Sequence, residues 1–146
     1  MTAAPQATTT QIYQLFIKAT PERIWEAITK PEFTSKFFHG PRIELVGDRW
    51  AWRDPEGALL GELPVLESDP PRRLVHGWRL FDREDCDEEP ASRLTWEIEP
   101  GENGVCKLTV THDQLDRSPL TARHVSGGWM FVLSGLKTLL ETGEPL

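Results

Sequence analysis

SPLTARHVSGGWMFVLSGLKTLLETG, residues 118–143, decides the fold, because this stretch predicts one long amphipathic helix at the C-terminal end of the chain. The apolar residues that recur at three- and four-residue spacing are Val125, Trp129, Val132, Leu133, Leu136 and Leu140. Ser118 is a favourable N-cap, Pro119 suits the first helical position, and Gly143 can end the helix. An apolar stripe of this length needs a broad apolar partner, so the rest of the chain should supply a sheet.

The N-terminal part of the chain predicts one strand followed by two short helices. Residues 11–19, QIYQLFIKA, are rich in β-branched and aromatic side chains, which favours a first strand. Thr20 followed by Pro21 is a typical helix start, and a second start follows at Pro31. The breaker residues HGP at 39–41 should end the second helix.

Beyond residue 41 the pattern changes to short strands separated by turn residues, which is typical of an antiparallel meander. The six predicted strands are residues 42–46, 49–53, 58–67, 72–81, 92–99 and 105–112. Alternation places Leu94, Trp96 and Ile98 on one face of their strand and polar residues on the other. One apolar face and one long helix to cover it predict an α+β sandwich of two layers, with an antiparallel sheet packed on the C-terminal helix.

Length and composition favour a single domain with an ordinary core. Of the 146 residues, we assign 1–10 to a disordered tail and 11–146 to one domain. The net charge of −7 argues against a nucleic-acid partner, because phosphate binding needs clustered Lys and Arg. The chain has only two cysteines, no basic and apolar leader, and no apolar run near the roughly 20 residues of a membrane span. We therefore expect a cytoplasmic protein with no membrane span.

The acidic run DREDCDEE, residues 82–89, predicts a solvated loop between strands, because it holds six acids and lacks apolar periodicity. Its acids also lack the spacing and the turn glycine of a calcium-binding hand. The four histidines lie at positions 39, 76, 112 and 124, without the spacing of zinc ligands. We therefore expect no metal site and no cofactor.

Four stretches resemble one known family in their order and spacing. Residues 17–38, IKATPERIWEAITKPEFTSKFF, are similar to its opening strand and its two Pro-Glu helices, and residues 69–78 to its middle strand. Residues 92–112, SRLTWEIEPGENGVCKLTVTH, resemble its last hairpin, and Gly128-Trp129 with the leucines that follow resembles its closing helix. The family is the helix-grip, START-like (SRPBCC) superfamily, in its branch of homologues of the activator of heat-shock-protein ATPase.

The resemblance implies a helix-grip fold over residues 12–143, in which a seven-stranded antiparallel sheet wraps around the long C-terminal helix, with two short helices after the first strand and a cavity between the sheet and the C-terminal helix. It implies no single activity, because the superfamily includes carriers of hydrophobic ligands, polyketide cyclases and aromatases, and chaperone co-factors. Our leading hypothesis is binding of a small hydrophobic ligand, aromatic or lipid-like. The alternatives are a cyclase- or aromatase-type enzyme and an interaction module that modulates a chaperone ATPase. The protein would act as a monomer or a homodimer.

The candidate ligand-binding residues are large side chains that strand alternation, helical spacing or the resemblance places at the space between sheet and helix. They are Phe38, Trp50, Trp52, His76, Trp78, Trp96, His112, Trp129, Leu133 and Leu136. The competing interpretation is that they are simply core, since large aromatic residues dominate protein cores. The helix glycines Gly127, Gly128 and Gly135 indicate a cavity or a close approach, because each costs about 1 kcal/mol relative to Ala.

The sequence contains no recognisable catalytic motif, so it leaves open whether the protein is an enzyme. It has no nucleophile elbow, no phosphate-binding glycine loop and no motif of paired cysteines. His76 and His112 fall on apolar strand faces, where an imidazole can orient a ligand or act as acid or base near neutral pH. The competing interpretation is that each is a hydrogen-bonded core histidine.

Overall fold

Seven strands form one antiparallel sheet in the computed structural model, which describes residues 10–146. Apart from Thr10, the predicted tail lies outside this range. The strands are β1 (Gln11–Ile17), β2 (Arg42–Val46), β3 (Arg49–Arg53), β4 (Leu59–Asp69), β5 (Arg73–Trp78), β6 (Ser92–Pro100) and β7 (Cys106–Asp113). Their order across the sheet is β1-β7-β6-β5-β4-β3-β2, so the chain meanders from β2 to β7 and β1 closes against β7.

Three α-helices accompany the sheet: α1 (Pro21–Thr29), α2 (Pro31–Phe37) and α3 (Pro119–Thr142). The Thr20 hydroxyl caps α1 by accepting a hydrogen bond from the Arg23 amide, as the sequence predicts. Gly143 ends α3 in the left-handed conformation (φ +80°), which a glycine adopts at no steric cost. The predicted helix therefore agrees with α3 to within one residue at each end.

The core lies between the apolar face of the sheet and α3. Trp96 and Leu94 on β6 are completely buried, as alternation predicts. On α3, Trp129, Leu133 and Leu136 are at most 4% exposed, so the apolar stripe of the helix faces the sheet. Burial of these large side chains supplies most of the driving force for docking the helix.

Glu89, at the end of the acidic run, caps the N-terminus of α3. Its carboxylate accepts hydrogen bonds from the amides of Leu120 and Thr121 and from the Thr121 hydroxyl, each at 2.8 Å. Ser118 stands at the N-cap position, but its hydroxyl donates instead to the Pro90 carbonyl at 2.7 Å. Two contacts between residues about 30 positions apart thus tie the acidic loop to the start of the helix.

Strand β5 ends at Trp78, three residues before its predicted end at residue 81, because the chain turns away from the sheet there. The ring of Phe81 then lies over β4 at Gly61, where a Cβ atom would come within 2.3 Å of a ring carbon. Only glycine leaves room for this ring on the strand. The departure of the chain after Trp78 opens the edge of the cavity described below.

The structure confirms the predicted fold class, an α+β arrangement of a seven-stranded antiparallel sheet, a long C-terminal helix and two short helices after the first strand. Among the described residues, none of the helices combines the length and the apolar character that crossing a membrane requires.

Candidate functional site

A cavity of about 170 Å³ lies between the sheet and the N-terminal half of α3. Its walls come from the end of α2, strands β3 and β5, the loop after β5 and one face of α3. Four aromatic residues line it, namely Phe38, Trp52, Trp78 and Trp129, and Leu80, Val125 and Val132 add aliphatic surface. The cavity is therefore mainly apolar, as small-molecule sites usually are.

Trp78 is the centre of the aromatic wall. Its ring centroid lies 5.1 Å from that of Trp129 on α3 and 5.3 Å from that of Trp52 on β3, the latter edge to face. Phe38, just after α2, completes the group at 6.0 Å from Trp78. These are favourable separations and angles for aromatic pairs, so the four rings hold one another in place around the open space.

The structure divides the ten predicted site residues into two groups. Those that line the cavity are Phe38, Trp52, Trp78 and Trp129. Those that lie in the packed core beside it are Trp50, His76, Trp96, His112, Leu133 and Leu136. The two groups differ in position, because the cavity occupies one end of the space between α3 and the sheet, and packed side chains fill the rest of that space.

His76 is a fully buried core residue whose two ring nitrogens both make hydrogen bonds. Nε2 accepts from the indole N–H of Trp96 at 3.0 Å. An indole nitrogen can only donate, so the imidazole proton is on Nδ1, which donates to the Gly77 carbonyl at 2.7 Å. The Trp50 ring stacks on the imidazole with centroids 3.8 Å apart. His76 therefore holds β3, β5 and β6 together.

His112, on β7 and two strands away from His76 in the sheet, has the same kind of environment. Its Nδ1 accepts from the indole N–H of Trp129 at 3.0 Å, so the proton is on Nε2, which donates to the Ser92 hydroxyl at 2.6 Å. This hydrogen bond joins α3 to β7 and sets the orientation of the Trp129 ring at the cavity wall. His112, which does not line the cavity, thus positions Trp129, which does.

Burial keeps both imidazoles neutral. Removal from water, with a smaller contribution from the nearby His112, lowers the pKa of His76 to about 3 against the opposing effect of the bond to Gly77. Burial likewise lowers the pKa of His112 to about 3, against the opposing charge of Asp113. Since every ring nitrogen already has a partner, neither imidazole is free to exchange a proton with a molecule in the cavity.

Polar residues form the rim of the cavity, and sequence reasoning did not place them there. Asp82 and Arg83 come from the acidic run, and His124 comes from the first turns of α3. Nε2 of His124 donates a hydrogen bond to the Asp85 carboxylate at 3.0 Å across the rim. Local patterns carry no signal for this arrangement, because it depends on where the loop docks against the helix.

Two of the glycines in α3 are explained by different features of the structure. A Cβ on Gly135 would lie 3.4 Å from the Phe37 side chain and 3.6 Å from its Cα, so this glycine allows the close approach of α2 and α3. A Cβ on Gly128, which lines the cavity, would meet no described atom within 4 Å. Gly128 therefore leaves space open, and it is the sequence signal that pointed most directly at the cavity.

Two tryptophans of the wall hold unused hydrogen-bond donors. The indole N–H groups of Trp52 and Trp78 are buried, and neither finds an acceptor among residues 10–146. Most buried donors in proteins have partners, and leaving one unpaired costs about 1–3 kcal/mol.

A seven-stranded antiparallel sheet that grips a long helix over an apolar cavity defines the helix-grip class of proteins. A model of the family described as Activator of Hsp90 ATPase homolog 1-like protein matches residues 18–141, which is most of the chain. The protein belongs to this family, and the resemblance seen in the sequence is thereby confirmed. No match was found among curated protein sequences.

Solved structures of low identity share the fold. The Aha1 dimer from Colwellia psychrerythraea is 21% identical with a TM-score of 0.70, covering 93% of this chain and 98% of that chain. An Hsp90 activator from Plasmodium falciparum is 18% identical with a TM-score of 0.68, covering 94% and 99%. CalU16 from Micromonospora echinospora is 22% identical with a TM-score of 0.66, covering 92% and 77%. At these identities the likeness shows the fold alone.

Proposed function

We propose that the protein binds a small aromatic molecule in the cavity between the sheet and α3. The observation that carries this proposal is the aromatic wall of Phe38, Trp52, Trp78 and Trp129 around about 170 Å³ of space. An apolar cavity of about 150 Å³ in another protein accommodates benzene, so this one has room for one ring or two fused rings. The same comparison favours a compact aromatic ligand over a sterol or a long acyl chain.

The polar groups of the site favour a ligand with a hydrogen-bond acceptor. Arg83 offers a charged donor at the rim of the cavity. A ring carrying a carbonyl or hydroxyl oxygen would bury its apolar faces against the aromatic wall and accept a hydrogen bond from Arg83. A pure hydrocarbon would gain only the apolar part of the binding energy.

Binding can be tested by titrating the full chain with indole, 2-naphthol and hydroxybenzaldehyde, with palmitate and cholesterol for comparison. The compact aromatics should quench Trp fluorescence and shift the amide NMR signals of residues around Trp78 and Trp129. Gly128→Leu should fill the cavity and weaken this binding by roughly tenfold or more. The matched control is Gly127→Leu, which makes the same change at an exposed position one residue away and should bind as the parent does.

Two results would contradict the proposal. One is the absence of any saturable response to the three aromatics in the parent protein. The other is equal affinity in Gly128→Leu and Gly127→Leu, which would place the binding outside the cavity. Both substitutions replace a helix glycine, so they change helix propensity by the same amount and leave cavity filling as the difference between them.

A second candidate function is modulation of an Hsp90-type ATPase, and family membership is the observation that favours it. An equimolar amount of the protein should change the ATP hydrolysis rate of a purified Hsp90 at least twofold, and the two proteins should co-elute. An unchanged rate together with separate elution would reject this candidate. The cyclase- or aromatase-type alternative has less support, because the nitrogens of His76 and His112 are all engaged in the core.

A further inference from the structure

Three potential metal ligands converge where the acidic loop meets α3. The Asp85 carboxylate lies 3.0 Å from Nε2 of His124 through one oxygen and 3.7 Å from Sγ of Cys86 through the other. All three ligand atoms lie within 4.8 Å of one another. Cys86 and His124 are 38 positions apart in sequence, so the tertiary fold alone brings them together.

The fold holds these side chains in place from both sides. Asp85 and Cys86 belong to a short 3₁₀ turn, Glu84–Cys86, and His124 lies in the second turn of α3. Glu89 anchors the loop to the first turn of the same helix through its bonds to Leu120 and Thr121. The relative positions of the three ligands are therefore set by the 3₁₀ turn, by α3 and by the Glu89 contacts that join the two, which is how preorganised metal sites are supported.

The hydrogen bond between Asp85 and His124 is weak enough for a metal ion to replace it. The side chains of the Asp85–His124 pair are 51% and 27% exposed, and pairs of this kind contribute little stability. The surrounding run carries six acids against one Arg, so the local potential attracts a cation.

We propose that Asp85, Cys86 and His124 form a Zn²⁺ site at the rim of the cavity. One thiolate, one imidazole and one carboxylate are a donor set that suits zinc better than calcium or magnesium. Zinc-ligand distances of about 2.0–2.3 Å put tetrahedral ligand atoms roughly 3.3–3.8 Å apart, so small side-chain rotations close the present arrangement on an ion. Three protein ligands leave a fourth position open, and His124 places it beside the cavity. This proposal does not depend on the function proposed above.

Cobalt is the probe that reports on the ligands directly. Titration of the full chain with Co²⁺ at about pH 7.5 should give one equivalent of binding and a near-ultraviolet charge-transfer band from a thiolate ligand, and Zn²⁺ should displace it. Cys86→Ser should remove the band, and His124→Gln and Asp85→Asn should each weaken binding by roughly tenfold or more. The matched control is Cys106→Ser, which alters the other buried cysteine and should leave the band unchanged.

The outcomes separate the proposal from adventitious binding. A charge-transfer band that persists in Cys86→Ser, or affinity that is equal in the parent, His124→Gln and Asp85→Asn, would overturn it. No band in the parent at a tenfold excess of Co²⁺ would overturn it as well. Asp85 is exposed, so Asp85→Asn tests the site without disturbing the core, and circular dichroism of each variant checks that it is folded.

Discussion

Lowering the pH from about 7 to about 4 should cost the protein several kcal/mol of its free energy of unfolding. His76 and His112 have pKa values of about 3 in the folded protein, against 6.5 for a free imidazole. Below pH 6.5 the unfolded chain binds protons that the folded chain cannot, so the stability present above that pH is lost as the pH falls toward 3. Each imidazole accounts for roughly 1 kcal/mol per pH unit, against a total stability of about 5–15 kcal/mol.

Urea unfolding at a series of pH values measures this effect. The slope of the unfolding free energy against pH should approach two protons below the imidazole pKa. His112→Phe should be less stable at pH 7 and should show a slope smaller by about one proton. The matched control is His39→Gln, which removes an exposed imidazole and tests whether the change in slope is particular to the buried position. A stability that is constant between about pH 6.5 and 5 would contradict the buried neutral pair.

Trp129→Ala should lower the free energy of unfolding by about 3–5 kcal/mol, the range for removing a large buried aromatic. Trp129 is 2% exposed and its ring contacts those of Phe38, Trp78 and Trp96. The substitution also removes the donor to Nδ1 of His112 and leaves that nitrogen unpaired in the core. The space it vacates adjoins the existing cavity, so the surroundings cannot readily collapse to fill it.

Two further variants serve as comparisons for the cost of Trp129→Ala. Trp129→Phe keeps one aromatic ring but loses the indole N–H and part of the ring volume, so it should cost about 1–3 kcal/mol, less than Trp129→Ala. The matched control is Trp25→Ala on α1, where the tryptophan is only partly buried at the edge of the core and should cost less than Trp129→Ala. Chemical denaturation of the three variants gives the comparison. A loss below about 1 kcal/mol for Trp129→Ala would contradict a central role for this residue.

The elements of the fold could be predicted because their signals are local. The spacing of Val125, Trp129, Leu133 and Leu136 predicts a helix whichever surface it covers, and Thr20 caps α1 through the adjoining residues. Alternation in β6 and β7 predicts which side chains face inward, because a strand has a period of two. The long-range capping of α3 by Glu89 had no such signal, since its partners lie about 30 positions away.

The candidate site was predictable as a region but not in detail. The tryptophans of β3, β5 and α3 face the interior, and the sequence placed all of them there. Whether a given ring lines open space or fills the core depends on how far α3 stands from each strand, and no pattern within a single segment of the sequence reports that distance. The sizes of the side chains alone do not predict a cavity, because a cavity depends on how the helix packs against the sheet.

By itself, the sequence determined the class of fold, the length and inward face of α3 and the family, because periodicity, capping and motif order are properties of neighbouring residues. Only the tertiary structure decided that Trp52, Trp78 and Trp129 surround a cavity while Trp50 and Trp96 pack against histidines. It also decided that Cys86 meets His124 at the rim. These arrangements join residues far apart in the chain, and their distances are fixed only when the sheet, the acidic loop and the helix pack together.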